Sequence, residues 1–235
     1  MKRFMCLLTV LLCSIILKAQ TRIKAEDIEV KDSSGMVYPT AIWQKLMSTG
    51  HYTVRIMSDG KTGLLVRLSE EEIAKRFAKL PKPTESKFFR TGEKITSFNE
   101  RDMNGNKYNL KELAAAGKVV VLNFWFVNCP PCRQEIPQLN ELVQTYKDNK
   151  DVVFIAVALD QAYDIKEFLK TSPYQYNIID NGRYIASKYN ITLYPTHAVV
   201  NREGKVIFHT SGLTMSTVGW VKKSIEAALN NTVPQ

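Results

Sequence analysis

From Val119 to Val127 the chain reads V-V-V-L-N-F-W-F-V, apolar everywhere except Asn123. This β-branched and aromatic run predicts a buried central strand. Beyond it the rhythm changes: Ile136, Leu139, Leu142 and Val143 recur at helical spacing between Arg133 and Asn149, with Pro137 expected to kink that helix. Asp151 to Leu159 reads as a second buried strand, and Ile165 to Leu169 as part of the crossover helix after it. A strand, a helix and a parallel strand imply a right-handed βαβ unit. Tyr176 to Ile179 predicts a short strand and Gly182 to Tyr189 a short helix. His197 to Val200 and Val206 to His209 predict a hairpin, and Ser216 to Leu229 the closing helix.

Upstream the pattern is weaker. Ile28 to Lys31 predicts a short strand, Asp32 to Gly35 a turn, and Tyr38 to Thr49 a helix with Ile42, Trp43, Leu46 and Met47 on one side. Tyr52 to Met57 and Leu64 to Leu68 flank Ser58-Asp59-Gly60-Lys61 as a hairpin. Ser69 and Glu72 have capping-box spacing at the start of a helix running to about Leu80. Leu80 to Ser86 holds two prolines and no apolar period, which suggests a linker. Ile95 to Asp102 and Lys107 to Leu110 predict one more hairpin. The expected organisation is a leader over 1–19, a small α+β region over 20–85, and a second domain over 86–235.

The first residues have a different character. Lys2 and Arg3 precede an uncharged apolar stretch from Phe4 to Leu17, ending at Lys18-Ala19. That order is expected of a secretory signal, and the stretch is short for a spanning helix. Removing residues 1–19 takes away Lys2, Arg3 and Lys18 and no acid, lowering the formal charge from +9 to +6. The remaining Lys and Arg are interspersed with Glu and Asp, which argues against nucleic-acid binding.

Export would also remove Cys6 and Cys13, leaving Cys129 and Cys132 as the only cysteines. They sit in Cys129-Pro-Pro-Cys132, at the expected strand-to-helix turn. There the positive end of a helix lowers the pKa of a thiol at its start, so Cys129 is the expected nucleophile. Cys132, one helical turn on, is placed to attack a mixed disulfide. A structural crosslink or half of a zinc site is the other use of such a pair. Zinc needs further ligands, and His51, His197 and His209 do not stand at paired ligand spacing. No metal is expected, and His197 is expected to be packed or hydrogen-bonded.

The stretch N-F-W-F-V-N-C-P-P-C, with Tyr194-Pro195-Thr196 downstream, resembles the thioredoxin-like TlpA/ResA-like thiol-disulfide oxidoreductases of bacterial envelopes, within the redoxin superfamily. The resemblance runs from about Phe88 to the C-terminus. It implies an α/β thioredoxin-like fold, with a central mixed sheet flanked by helices and an N-terminal hairpin. It further implies a cis bond before Pro195 beside the active site, and Glu135 as proton acceptor. Tyr194, Pro195, Thr196, Trp125 and Asn128 would meet the substrate, and the Cys129–Cys132 couple would serve without a cofactor. The implied location is the periplasm or cell envelope, and the implied partners are envelope proteins with thiols or disulfides, such as apocytochrome c, and a membrane thiol donor. Two positions depart from the family: Asn128 replaces a common Trp, and Asn123 stands where thioredoxin has a buried Asp. An amide there cannot accept a proton.

Three other activities share parts of this pattern. Pro130 and Pro131 remove N–H donors from the Cys129 thiolate, which predicts a reductase; a disulfide oxidase or isomerase would use the same couple in another direction. A thiol peroxidase would want a lone cysteine in a Thr-x-x-Cys turn. A copper-binding assembly factor would want three residues between its cysteines, where this chain has two.

Overall fold

The computed structural model describes residues 24–234. The expected leader, with Cys6 and Cys13, lies outside the described residues. The chain resolves into two compact units, one made of residues up to Trp43 with Val54–Val66, the other of Gln44–Thr53 with Arg67 onward.

Near the N-terminus, β1 (Glu29–Lys31), β2 (Val37–Tyr38), α1 (Thr40–Ser48), β3 (Tyr52–Ile56) and β4 (Thr62–Arg67) follow in order, and the strands form a sheet β2-β1-β4-β3. Asp32 turns β1 into β2, its Oδ1 accepting from the amides of Ser34 at 2.8 Å and Met36 at 3.1 Å. Tyr38 was expected in the helix but is a strand residue paired with Val30. It precedes Pro39, whose ring disfavours helical backbone at the residue before it.

The second unit continues with α2 (Glu70–Ala78), β5 (Asn99–Arg101), β6 (Lys107–Asn109) and α3 (Leu110–Ala115). Ser69 and Glu72 form the expected capping box on α2. The segment expected as a linker is irregular and tied down: Thr84 O accepts from Thr210 Oγ1 at 2.8 Å, and Ser86 Oγ meets His209 Nδ1 at 3.1 Å. β5 and β6 form a hairpin. Helix α3 has no counterpart in the sequence reading; Asn109, read as strand, caps it by accepting from the amides of Lys111 and Glu112.

Then come β7 (Val119–Trp125), α4 (Pro130–Thr145), β8 (Val152–Ala158), α5 (Ala162–Leu169), β9 (Asn177–Ile179), α6 (Arg183–Lys188), β10 (Thr196–Val200), β11 (Val206–Ser211) and α7 (Thr217–Leu229). The strands order as β11-β10-β7-β8-β9, with β7, β8 and β9 parallel and β10 antiparallel to both β7 and β11. This is the expected mixed α/β sheet flanked by helices. Helix α4 begins three residues earlier than the periodicity suggests, because prolines suit the first turn, and it runs on through Pro137.

Every residue of β7 is buried, and alternation divides them between two cores. Val119, Val121 and Trp125 face α4, α5 and α7, packing with Leu139, Phe168 and Ile225. Val120, Leu122 and Phe124 face the other way, with Ile185 and Leu110. By the same period Asn123 points to the α4 side.

Helix α6 reaches the sheet through Gly182. A Cβ there would lie 2.4 Å from Val157 Cγ1 and 3.0 Å from the Ala158 carbonyl oxygen, while the Gly182 amide donates to that carbonyl at 2.7 Å. The clash is with a core side chain and backbone, neither free to retreat. Gly182→Ala should therefore cost about 1–3 kcal/mol by overpacking, read as a lower urea midpoint with an unchanged slope. An unaltered midpoint would show that α6 can move off the sheet.

Candidate active site

The end of β7 is fastened before the chain turns into α4. Asp160 Oδ2 accepts from the Val127 amide at 2.7 Å, and the Cys129 amide donates to Phe126 O at 3.1 Å. Cys129 is the N-cap of α4: its carbonyl accepts from the Arg133 amide at 3.0 Å, and its sulfur from the Cys132 amide at 3.3 Å. Pro130 and Pro131 occupy the first helical positions and carry no N–H, so Cys132 supplies that sulfur's bond from the first turn.

Cys129 and Cys132 are joined as a disulfide, with their Cα atoms 5.3 Å apart. The cysteines are 2% and 1% exposed, so in this oxidised state neither is the outward one by burial. Their difference is positional. Both belong to the core cluster with Ile136 and Leu139, but Cys129 stands before the helix between exposed Asn128 and Pro130, while Cys132 lies within its first turn. Among the described residues no group of three or more His, Cys, Asp or Glu could hold a metal ion.

Glu135 is 1% exposed, one helical turn beyond Cys132 on the same inward face. An isolated buried carboxylate is costly, so its partners matter. Asn123 Nδ2 donates to Oε1 at 3.1 Å, and His197 Nε2 lies 3.0 Å from both Oε1 and Oε2. The sheet brings these two together, because His197 on β10 is the cross-strand neighbour of Asn123 on β7. Tyr174 Oη donates to Asn123 Oδ1 at 3.2 Å and so directs the amide nitrogen towards Glu135. Burial, with the nearby carboxylate, holds the Tyr174 and Tyr176 phenols well above their ordinary pKa, so both stay protonated.

The Tyr194–Pro195 bond is cis. Tyr194 is half-buried, its ring meeting Phe126 edge-on at 5.5 Å. Pro195 O accepts from the Gly212 amide at 2.8 Å. Among the described residues no backbone bond engages the Tyr194 amide or carbonyl.

Of the expected substrate residues Trp125, Pro195 and Thr196 are buried. Trp125 is wholly buried and packs against Phe168 and Tyr174 at 5.6 and 5.3 Å between centroids, because it falls on the core side of β7's alternation. Thr196 is also fully buried, its hydroxyl bonded to Leu193 O and Ser211 Oγ, both at 2.7 Å. Neither presents a surface to a client, whereas Asn128 and Leu193 are exposed.

The sequence reading missed the roles of Asn123 and Asp160. Asn123 is the lone polar residue of its strand, and that was the available signal. An amide accepts no proton, but here it donates to the Glu135 carboxyl.

Residues 91–209 match the AhpC/TSA family. The chain is 36% identical over 118 residues to thiol-disulfide oxidoreductase ResA of Bacillus cereus, covering 49% of this chain and 66% of that protein. It is 32% identical over 131 residues to ResA of Halalkalibacterium halodurans, covering 55% and 73%. The chain thus spans roughly two thirds of each relative's length. A solved Chlorobium tepidum structure assigned as thiol:disulfide interchange protein DsbE superposes with a TM-score of 0.54 at 29% identity, covering 60% of this chain and 99% of that one. A matched family, a cysteine pair at a strand-to-helix turn and a cis proline at the head of β10 agree, and the chain belongs to the AhpC/TSA family as a protein thiol-disulfide oxidoreductase.

Proposed function

We propose that the chain is an exported reductase of protein disulfides in the cell envelope. The observation that carries this reading is the N-cap of α4. A Cys129 thiolate there has the Cys132 amide as a donor, because both preceding helical positions are prolines. Fewer donors stabilise the thiolate less, and a less stabilised reduced form makes a stronger reductant. Oxidising and reducing members of this chemistry differ by about 150 mV, roughly 7 kcal/mol for two electrons.

Clients would be extended segments carrying a disulfide, paired through the unengaged backbone of Tyr194 and laid beside Pro195, Leu193 and Asn128. Misoxidised envelope proteins and apocytochrome c fit that chemistry, with a membrane thiol as the electron source. The apolar leader supports export, and no helix among the described residues is long and apolar enough to cross a membrane.

One preparation tests both parts: protein recovered from fractionated cells, its N-terminus read by mass and its couple titrated against glutathione. The mature chain should begin near Gln20, with a potential below about −220 mV. A potential near −120 mV would make it an oxidase. Intact chains starting at Met1 would overturn processed export.

A further inference from the structure

We infer that His197 is a positioning residue for disulfide exchange, holding Glu135 as the base that takes the proton of Cys132. The inference rests on the reading of Cys129 and Cys132 as a working couple.

The geometry selects the form of the histidine. Tyr174 fixes the Asn123 amide so that its nitrogen reaches Glu135 Oε1 at 3.1 Å, leaving its second hydrogen towards the His197 ring, whose Nδ1 and Nε2 are both 3.3 Å away. That contact does not choose between the ring nitrogens; the carboxylate does, because Nε2 lies 3.0 Å from both its oxygens and meets it as a donor only when it carries the ring proton. Glu135 is therefore met by two N–H donors inside the protein. Donors to the charged form of a carboxyl favour that form, offsetting the burial that opposes it. Without His197, one of the two donors to the carboxylate is lost, and with it part of the support for the charged form that accepts a proton.

The step balances as follows. Attack of the Cys129 thiolate on a client disulfide forms a mixed disulfide and frees one client thiolate. The Cys132 thiol then passes its proton to Glu135, and its sulfur attacks Cys129. The Cys129–Cys132 bond forms as the Cys129–client bond breaks, and the client sulfur leaves as a thiolate protonated by water. Two electrons have passed from the dithiol to the client. When a thiol donor reopens the couple, Glu135 returns the proton to Cys132.

The titratable groups that face the carboxylate are His197 from β10 and Tyr174 and Tyr176 from the stretch before β9, with Cys132 one helical turn before it on α4. The two phenols stay protonated, so neither takes the proton of Cys132.

The test uses the reduced protein with less than one equivalent of dithiobis-nitrobenzoate, an aromatic disulfide. Attack by Cys129 releases one coloured thiolate, and resolution by Cys132 releases a second. In His197→Leu the second phase should slow roughly tenfold at neutral pH, the scale of losing a hydrogen bond to a charged group, and its rise with pH should move upward. His197→Gln, which restores an N–H donor, should recover most of the rate. In a Glu135→Gln background, His197→Leu should add little. Equal slowing of both phases, no rescue by Gln, or an undiminished effect without the carboxylate would each overturn the role of His197. If wild type released no second thiolate, the underlying couple would fail instead, a result distinct from all three.

Discussion

Cys132→Ser should accumulate covalent complexes with client proteins, while Cys129→Ser should accumulate few and lose turnover by about a thousandfold or more, as loss of a catalytic nucleophile does. Exchange proceeds through a mixed disulfide, and whichever cysteine attacks first becomes attached to the client. Both cysteines are buried in the oxidised state, so exposure does not choose between them. Position does. Cys129 precedes α4, receives the Cys132 amide and is flanked by exposed Asn128 and Pro130, whereas Cys132 lies within the first turn of the helix. A non-reducing gel of both variants, with mass spectrometry of the trapped bands, reads the result and identifies the clients. Complexes on Cys129→Ser and none on Cys132→Ser would reverse the two roles.

What could be read from the sequence follows from how local each signal is. The strand β7 and the helix α4 are written in consecutive residues, as apolar composition and as period, so the turn holding both cysteines could be placed without a structure. The capping box of α2 is local too, and it was legible. Trp125 shows the limit. Strand composition shows burial but not which residues of an end turn outward, and Trp125 belongs to the core while its neighbour Phe126 meets Tyr194. The cluster around Glu135 depends on register, which no single segment carries. Asn123 and His197 are far apart in the chain and become neighbours when β10 pairs with β7 in one alignment; a shift of one residue would send His197 to the opposite face. The resemblance implied Glu135, but its donors needed the sheet.

Glu135→Gln should lower turnover by about a hundredfold at neutral pH while leaving the fold intact. Glutamine keeps the shape of the side chain, and its carbonyl oxygen can still accept from Asn123 and His197, so neither donor is orphaned. It removes a buried charge as well, and replacing such a charge by a neutral group of the same size is often neutral or stabilising. The melting temperature should therefore stay level or rise slightly. Glu135→Ala, which strands both donors, should lower stability by about 1–3 kcal/mol. What glutamine cannot do is take a proton, so Cys132 would have to lose its own to solvent. The rate of the variant should then keep climbing with pH towards the range of a free thiol, about 8.5, where the wild-type rate has already levelled. Stopped-flow measurement of disulfide reduction across pH, beside thermal unfolding of the same samples, separates the two contributions. If the pH profile is unchanged and only stability moves, Glu135 is a buried structural carboxylate and the proton of Cys132 leaves by another route.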